Sequence, residues 1–269
     1  MKALIPAAGH GTRFLPVTRV VPKEMLPIGA KPALQLIVEE ALAAGADEVV
    51  IVISSEKEII RRYFEGDSEL APRIRWSFQT EQKGLGHAVL QAADVLADEQ
   101  APVLVLLGDA LVSGEAPSAT MAAISQAFGG ASVVGLEEVP LERVSRYGIV
   151  KGLNGSDGLK GLNAPNGVNG LKDLDRIVKI EDLVEKPAPD KAPSRLAIAG
   201  RYLLDPAIFG LLASQTAGVG GEIQLTDAIR RLLDIKPAYG YRYPGTRHDI
   251  GNPAGYLKAL QAFASAGST

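Results

Sequence analysis

The chain has 269 residues, 46% of them apolar and 22% charged, with a formal charge of -3. That balance suits an α/β protein with a sizeable core, excludes disordered and fibrous classes, and lacks the basic excess that a nucleic-acid or anionic-membrane surface needs. No run of eighteen apolar residues and no basic leader precede any candidate strand, so no membrane span or signal peptide is expected; zero cysteines exclude disulfides and thiolate chemistry and fit a cytoplasmic location.

Ala3-Leu4-Ile5 is a short apolar run stopped by Pro6, which predicts a buried first strand. In the turn that follows, Ala8-Gly9-His10-Gly11-Thr12, small residues let backbone lie against something bulky, so its N–H groups can gather an anion such as phosphate. Arg13 ends that turn and Lys23 follows, two cations able to straddle a polyphosphate. Three readings compete. A P-loop needs G-x-x-x-x-G-K-[ST], and Phe14 holds the place of its second glycine. A dinucleotide fingerprint needs a third glycine at that same place. A plain strand-to-helix turn would use the glycines for geometry alone.

Pro32 to Ala44 carries Leu34, Ile37, Val38, Ala41 and Leu42 at helical spacing, with Gly45 as a stop. Glu48 to Ile53 is a continuous apolar strand of the kind buried on both faces of a parallel sheet. Glu58 to Phe64 predicts a short helix, Ile74 to Gln79 a strand, Gly86 to Leu96 a helix, and Pro102 to Leu107 a strongly hydrophobic strand ending on Gly108-Asp109. This βα alternation predicts a doubly wound, Rossmann-like, mostly parallel sheet, with ligands beyond the carboxyl ends of its strands. Four places then carry interest: the loop after Ile5, the segment after Ile53, the turn after Gln79, and Asp109. Asp109 could serve as a helix N-cap; a phosphate loop at the same edge favours a magnesium ligand instead.

Ala131 to Leu136 predicts a further strand and Glu142 to Arg146 a helical turn. Within 151–176 the stretch 152–170 is rich in glycine and asparagine without aromatic residues, which predicts a surface loop or extended hairpin. Ile177 to Val184 alternates into Glu185-Lys186-Pro187, by itself an ordinary solvated strand end. Glu222 to Leu232 predicts a helix beginning near the site, with a plain capping role as one reading of Glu222. His248-Asp249 alone suggests a metal phosphohydrolase, but His10 and His87 are the sole other histidines, too few for that site. From Pro253 a C-terminal helix and tail run to Thr269, so the whole of 1–269 is expected to form a single domain.

Taken together, G-x-G-T-R-x-L-P-x-T, P-K-E-M-L-P, Y-G at Tyr147-Gly148, V-E-K-P, Gly200 and D-x-G at Asp249 closely resemble the signature of the sugar-nucleotide pyrophosphorylases, and within them the bacterial UTP:glucose-1-phosphate uridylyltransferases. The resemblance implies a nucleotidyltransferase fold with a small sugar-side subregion. It implies that Ala8, Gly9, Gly11, Thr12 and Arg13 hold nucleotide phosphates, with Lys23 beside them, and that Gln79 and Gly84 read the base. A glutamine amide offers both a donor and an acceptor to a pyrimidine edge. His87, in the same segment, fits a capping or core role as well as a contact. On the sugar side it implies Gly148, Glu185, Lys186 and Gly200, with Lys186 on the sugar phosphate, and Mg2+ between Asp109 and Asp249. Arg13, Lys23, Asp109 and Lys186 are the implied catalytic set.

The implied reaction is uridylyl transfer from UTP to glucose 1-phosphate. A departure from the resemblance bears on the base: the uridylyltransferases usually carry a long helical insertion ahead of the base segment, whereas fifteen residues run here from Glu65 to Gln79, more as in thymidylyltransferases. Thymidylyl transfer from dTTP therefore stands as an alternative, and a non-catalytic sugar-nucleotide-binding regulator as another. Expected partners are a nucleoside triphosphate, a sugar 1-phosphate and copies of the chain itself as a dimer or tetramer, with no nucleic acid and no membrane.

Overall fold

The structure, a computed structural model, describes residues 1–154 and 174–266. Strand β1 (Lys2–Pro6) starts it, a two-residue hairpin of β2 (Pro27–Ile28) and β3 (Lys31–Pro32) follows, and α1 (Ala33–Ala43) leads to β4 (Glu48–Ile53). After α2 (Glu58–Glu65) come β5 (Ile74–Phe78), α3 (Leu85–Leu90) and β6 (Val103–Leu106). These four long strands pair in parallel in the order β5-β4-β1-β6. Alternate residues of β1 and β4 go to opposite faces. Ala3, Ile5, Val49 and Ile51 pack beneath α1, while Leu4, Val50 and Val52 pack with Val89 of α3. Burying a leucine or isoleucine fully is worth about 1.5–3 kcal/mol, so strands apolar on both faces belong at the sheet centre.

The second half of the chain extends the same sheet. It contributes β8 (Ser132–Glu138), β9 (Gly148–Asn154), β10 (Ile177–Glu185), β11 (Leu196–Leu204) and β12 (Ala238–Arg242), giving nine strands in the order β5-β4-β1-β6-β11-β8-β12-β10-β9. Here β8–β12 is the parallel pair, and β11 and β10 run antiparallel to their neighbours. The unbroken parallel run belongs to the N-terminal half, where helices separate the strands; β9 and β10 instead pair directly, as antiparallel geometry allows. A small cluster of Val139, Val144, Ile149 and Ala197 forms the subregion on this side.

A separate antiparallel ribbon pairs β7 (Ala110–Ser113) with β13 (Thr246–Asp249). It joins the end of β6 to the last stretch before the C-terminal helix. Among the described residues the remaining helices are α4 (Ser118–Ala127), α5 (Ala207–Ala213), α6 (Leu225–Leu232) and α7 (Pro253–Ala266).

Three expected boundaries move. The helix from Gly86 to Leu96 is regular only as α3, and turns carry the chain on to Asp98. The helix expected from Glu222 begins at Leu225, because Ile223 is first taken by the base segment, its N–H donating to Lys83 O and its carbonyl accepting from Gly86. Within 151–176, Lys151–Asn154 continues β9 against β10 and Leu174–Arg176 is a 3-10 turn; the expected loop or hairpin otherwise lies outside the described residues. No helix among the described residues is long and apolar enough to cross a membrane.

Candidate active site

Because β1, β4, β5 and β6 are parallel, their carboxyl ends share one edge, and the four expected places meet there. The loop leaves β1 at Ala7, whose N–H donates to Val52 O at 2.8 Å. From Ala8 to Gly11 the backbone N–H groups find no partner among the described residues. Gly11 takes a left-handed φ of 67°, and its carbonyl accepts from Thr18 Oγ1 at 2.9 Å. A row of free N–H groups on a fixed turn is a ready anion cradle. Thr12 opens the 3-10 turn that carries Arg13 away from the loop.

Lys23 and Asp109 form an ion pair at the centre of this edge. Burial alone would lower the pKa of the Lys23 ammonium, but the charges of Asp109 and Glu24 outweigh it and push it up. Burial would raise the Asp109 carboxyl; the charge and hydrogen bond of Lys23 hold it below the usual carboxylate range. Both groups therefore keep their charges at neutral pH.

Asp249 reaches the same point through the ribbon, where it pairs with Ala110, and Ile250 N–H donates to Asp109 O at 2.9 Å. A Cβ on Gly251 would stand 2.9 Å from an Asp249 carboxylate oxygen and 3.0 Å from an Asp109 oxygen, so the two carboxylates face one spot. Arg13 extends to this spot from the other side, its Nη1 3.9 Å from Asp249 Oδ2. Lys23 thus stands at Asp109 and Arg13 near Asp249, both at the spot that the two carboxylates face.

Two cavities open from Asp109. One is lined by Ala8, Gly9, Lys23, Gln79 and Gly84. In it the Gln79 amide N–H donates to His87 Nδ1 at 2.9 Å, which places His87 behind the glutamine. Gly84 adopts φ 94°, and a Cβ there would meet the Cβ of Glu222 at 2.7 Å. Glu222 accordingly buttresses the base segment, three residues ahead of α6, and does not cap that helix.

The other cavity is lined by Gly148, Glu185, Lys186, Gly200, Arg13 and Asp249, among others. Glu185 ends β10 opposite Gly148 of β9. Lys186 has a left-handed φ of 47°, rare for a side chain of this size, and such strain persists where the surroundings enforce it; its N–H donates to Tyr147 O at 2.9 Å. Its ammonium lies 3.4 Å from Glu185. Arg201, fully buried, makes two bonds to Glu40 at 3.0 and 2.7 Å and also donates to Gly200 O and Ala110 O, fixing the floor of this cavity.

Several residues at the site went unnoticed in the sequence. Arg146 and Arg247 line the sugar-side cavity, Arg247 held by Glu137 and set over the Tyr147 ring at 5.1 Å. Gln82 ties the base segment to the loop by donating to Ala8 O at 3.2 Å. Lys57 and Glu24 form a buried pair behind the loop. Arg146 sits next to the Y-G motif and Arg247 two residues before Asp249, so proximity to motif residues was the available signal. His248 packs on Phe263 and bonds Ser113, in keeping with rejection of a phosphohydrolase site.

Among the described residues no cluster of three metal-ligating side chains occurs. Two converging carboxylates with open surroundings fit a hard divalent ion that takes its other ligands from phosphate oxygens and water.

The family model of the nucleotidyl transferases matches residues 2–266. The chain is 40% identical to UTP–glucose-1-phosphate uridylyltransferase 2 of Staphylococcus saprophyticus, over 98% of this chain and 91% of that one, and 39% identical to the UTP–glucose-1-phosphate uridylyltransferase of Bacillus subtilis, over 98% and 90%. Among solved structures, UDP-glucose pyrophosphorylase complexed with UDP-glucose superposes with a TM-score of 0.84 at 36% identity, over 98% of both chains. The UTP-bound enzyme of Acinetobacter baumannii does so at 0.79 and 33%, over 97% of this chain and 92% of that one. The two cavities at one sheet edge and these matches along almost the whole chain agree: the chain belongs to the nucleotidyl transferase family.

Proposed function

We propose that this protein transfers the uridylyl group of UTP to glucose 1-phosphate, giving UDP-glucose and pyrophosphate. The observation that carries the reading is the meeting of two unlike cavities at Asp109, one with a free N–H loop, Lys23 and Gln79, the other with Glu185, Lys186 and Gly200. Relatives at 39–40% identity bear that activity in their names.

An oxygen of the sugar phosphate attacks the α-phosphorus in line; the new P–O bond forms as the bond to the bridging oxygen breaks, and that oxygen leaves with pyrophosphate. The attacking phosphate is already anionic, so no protein base is needed, and the work is positioning and charge stabilisation. In this reading the Ala8–Thr12 loop and Arg13 hold the triphosphate, Lys23 neutralises it near the α-phosphate, Lys186 takes the sugar phosphate and Glu185 accepts from sugar hydroxyls. Asp109 and Asp249 would hold a divalent ion, Mg2+ by its oxygen-only donor set, which when bound would draw together the phosphates and offset their charge. We extend the reading to a cytoplasmic enzyme of a single domain that self-associates.

The test is pyrophosphate release with UTP or dTTP, glucose 1-phosphate and Mg2+, with other sugar phosphates as controls. UTP with glucose 1-phosphate should be the best pair. The short path from α2 to β5, bridged by one 3-10 turn at Ala71–Arg73, favours a second reading in which dTTP serves, and faster turnover with dTTP would establish that one. Binding without turnover would identify a regulator.

A further inference from the structure

Lys57 and Glu24 are buried charges that the proposed reaction does not use. Lys57 is 7% exposed and Glu24 1%; Glu24 forms part of the wall of the cavity that holds Ala8, Lys23 and Gln79, and Lys57 stands behind it. The Lys57 ammonium donates to Glu24 Oε2 at 2.8 Å and to the carbonyl of Ala7 at 2.6 Å. Ala7 is the residue from which the phosphate loop departs. Glu24 is the neighbour of Lys23 in the 3-10 turn Lys23–Met25, and Lys57 closes the turn Ser55–Lys57 that follows β4. One ammonium therefore joins three segments of the sheet edge that are far apart in the chain.

The Lys23 turn has two electrostatic anchors, Asp109 in front and Glu24 behind. The front anchor is the carboxylate assigned above to a divalent ion, and Lys23 must loosen from it to meet a phosphate. The rear anchor is almost fully buried, with Lys57 behind the cavity wall, and survives ligand entry. We propose that Lys57, acting through Glu24 and Ala7, is a positioning residue that keeps the phosphate loop and the Lys23 turn in one fixed geometry against the nucleotide. The inference rests on the reading of Lys23 as a triphosphate contact.

Lys57→Met alone would strand a buried carboxylate and lower stability whatever its role, so the deciding variant is the double change Lys57→Met with Glu24→Leu, which removes both charges together. Its thermal midpoint, UTP affinity by calorimetry, and kcat and KM for each substrate are compared with the wild type. Expected are a melting temperature near that of the wild type, a loss of about 10²-fold in kcat/KM for UTP, as a small misplacement of reacting groups can cause, and an unchanged KM for glucose 1-phosphate. A folded double variant whose UTP affinity and kcat/KM stay within about threefold of the wild type overturns the proposal, as does an equal rise in KM for both substrates. Should the double variant fail to fold, Glu24→Gln, which keeps the size of the side chain, is judged by the same two criteria. Wild-type protein that binds UTP without turning it over would sink the catalytic reading and leave the affinity comparison to judge this one.

Discussion

Asp109 and Asp249 lie far apart in the chain and face one spot because the β7–β13 ribbon sets Asp249 opposite Ala110, the residue after Asp109. Neither strand belongs to the main sheet. The ribbon therefore acts as a bracket that folds the C-terminal carboxylate onto the end of β6. With Lys23 on Asp109 and Arg13 near Asp249, each acid has its own cation.

That arrangement predicts that both acids matter to turnover and that they act on a common ion. Asp249→Asn should fold normally, since Asp249 is partly exposed and its one Oδ1 contact, the Gly251 N–H at 2.9 Å, can still be made by an amide oxygen. Turnover should fall by about 10²-fold or more. Titrating Mg2+ in the pyrophosphate assay should show a weaker apparent affinity for the ion, and a chelator should abolish wild-type activity. Full activity of Asp249→Asn at low Mg2+ would contradict the shared site.

Glu40 gives a stability prediction. Arg201 is fully buried and relies on the Glu40 carboxylate for two of its bonds. Glu40→Ala leaves that guanidinium without its counter-charge and should cost about 3–5 kcal/mol in urea unfolding. Because Arg201 also holds the carbonyls of Gly200 and Ala110, any folded remainder should bind glucose 1-phosphate less well.

How far the sequence could be read differs by element, and the reasons are physical. β1 and β4 were legible because they are unbroken apolar runs, which only a two-faced burial explains. The loop stood out because Gly9 and Gly11 follow a buried strand, and its N–H groups, unpartnered among the described residues, keep it a candidate anion site. The β7–β13 ribbon was not legible: Thr246-Arg247-His248-Asp249 carries no apolar alternation, and its pairing is a long-range event. Lys57 was hidden for a similar reason. Ser-Glu-Lys before a helix looks like a solvated start, and only the fold shows that its ammonium turns inward to Glu24 and Ala7. Arg13 was legible as a cation of this edge from its place in the motif, but its approach to Asp249 depends on the ribbon and was not.

The buried pair also has a pH signature. Burial raises the Glu24 carboxyl above its ordinary value of 4.5, against the pull of Lys57 and Lys23. A raised folded-state pKa means the native protein holds the proton more tightly than the unfolded chain. The stability this contributes is complete below pH 4.5 and is lost as pH rises through the folded-state value. The difference in stability between wild type and Glu24→Gln should therefore shrink across that window above pH 4.5, measured by thermal melts in matched buffers. A difference that grows with pH there would show the carboxyl shifted the other way.

If Gln79 reads the base, as proposed, base choice rests on which of its amide atoms faces the cavity. Its backbone N–H is anchored to Ile53 O at 2.9 Å, and its amide nitrogen donates to His87 Nδ1. With His87 Nδ1 accepting, as its Nε2–H tautomer requires, and Gly84 O 3.5 Å from the same nitrogen, the NH2 group is engaged and Oε1 is left to accept. Uracil and thymine both carry an N3–H that can donate to it; cytosine carries a bare N3 there, which would meet the oxygen lone pair to lone pair. UTP and dTTP should accordingly outcompete CTP, and the penalty of an unpaired buried acceptor, about 1–3 kcal/mol, corresponds to roughly 10- to 10²-fold in kcat/KM. Gln79→Leu removes the acceptor and should bring UTP and CTP toward equality while lowering activity with UTP. His87→Phe should act in the same direction more weakly, by freeing the amide to turn and offer its NH2 group to cytosine. Competition assays with the three nucleotides check both variants, and a Gln79→Leu protein that still rejects CTP as strongly as the wild type would show that the base is read elsewhere.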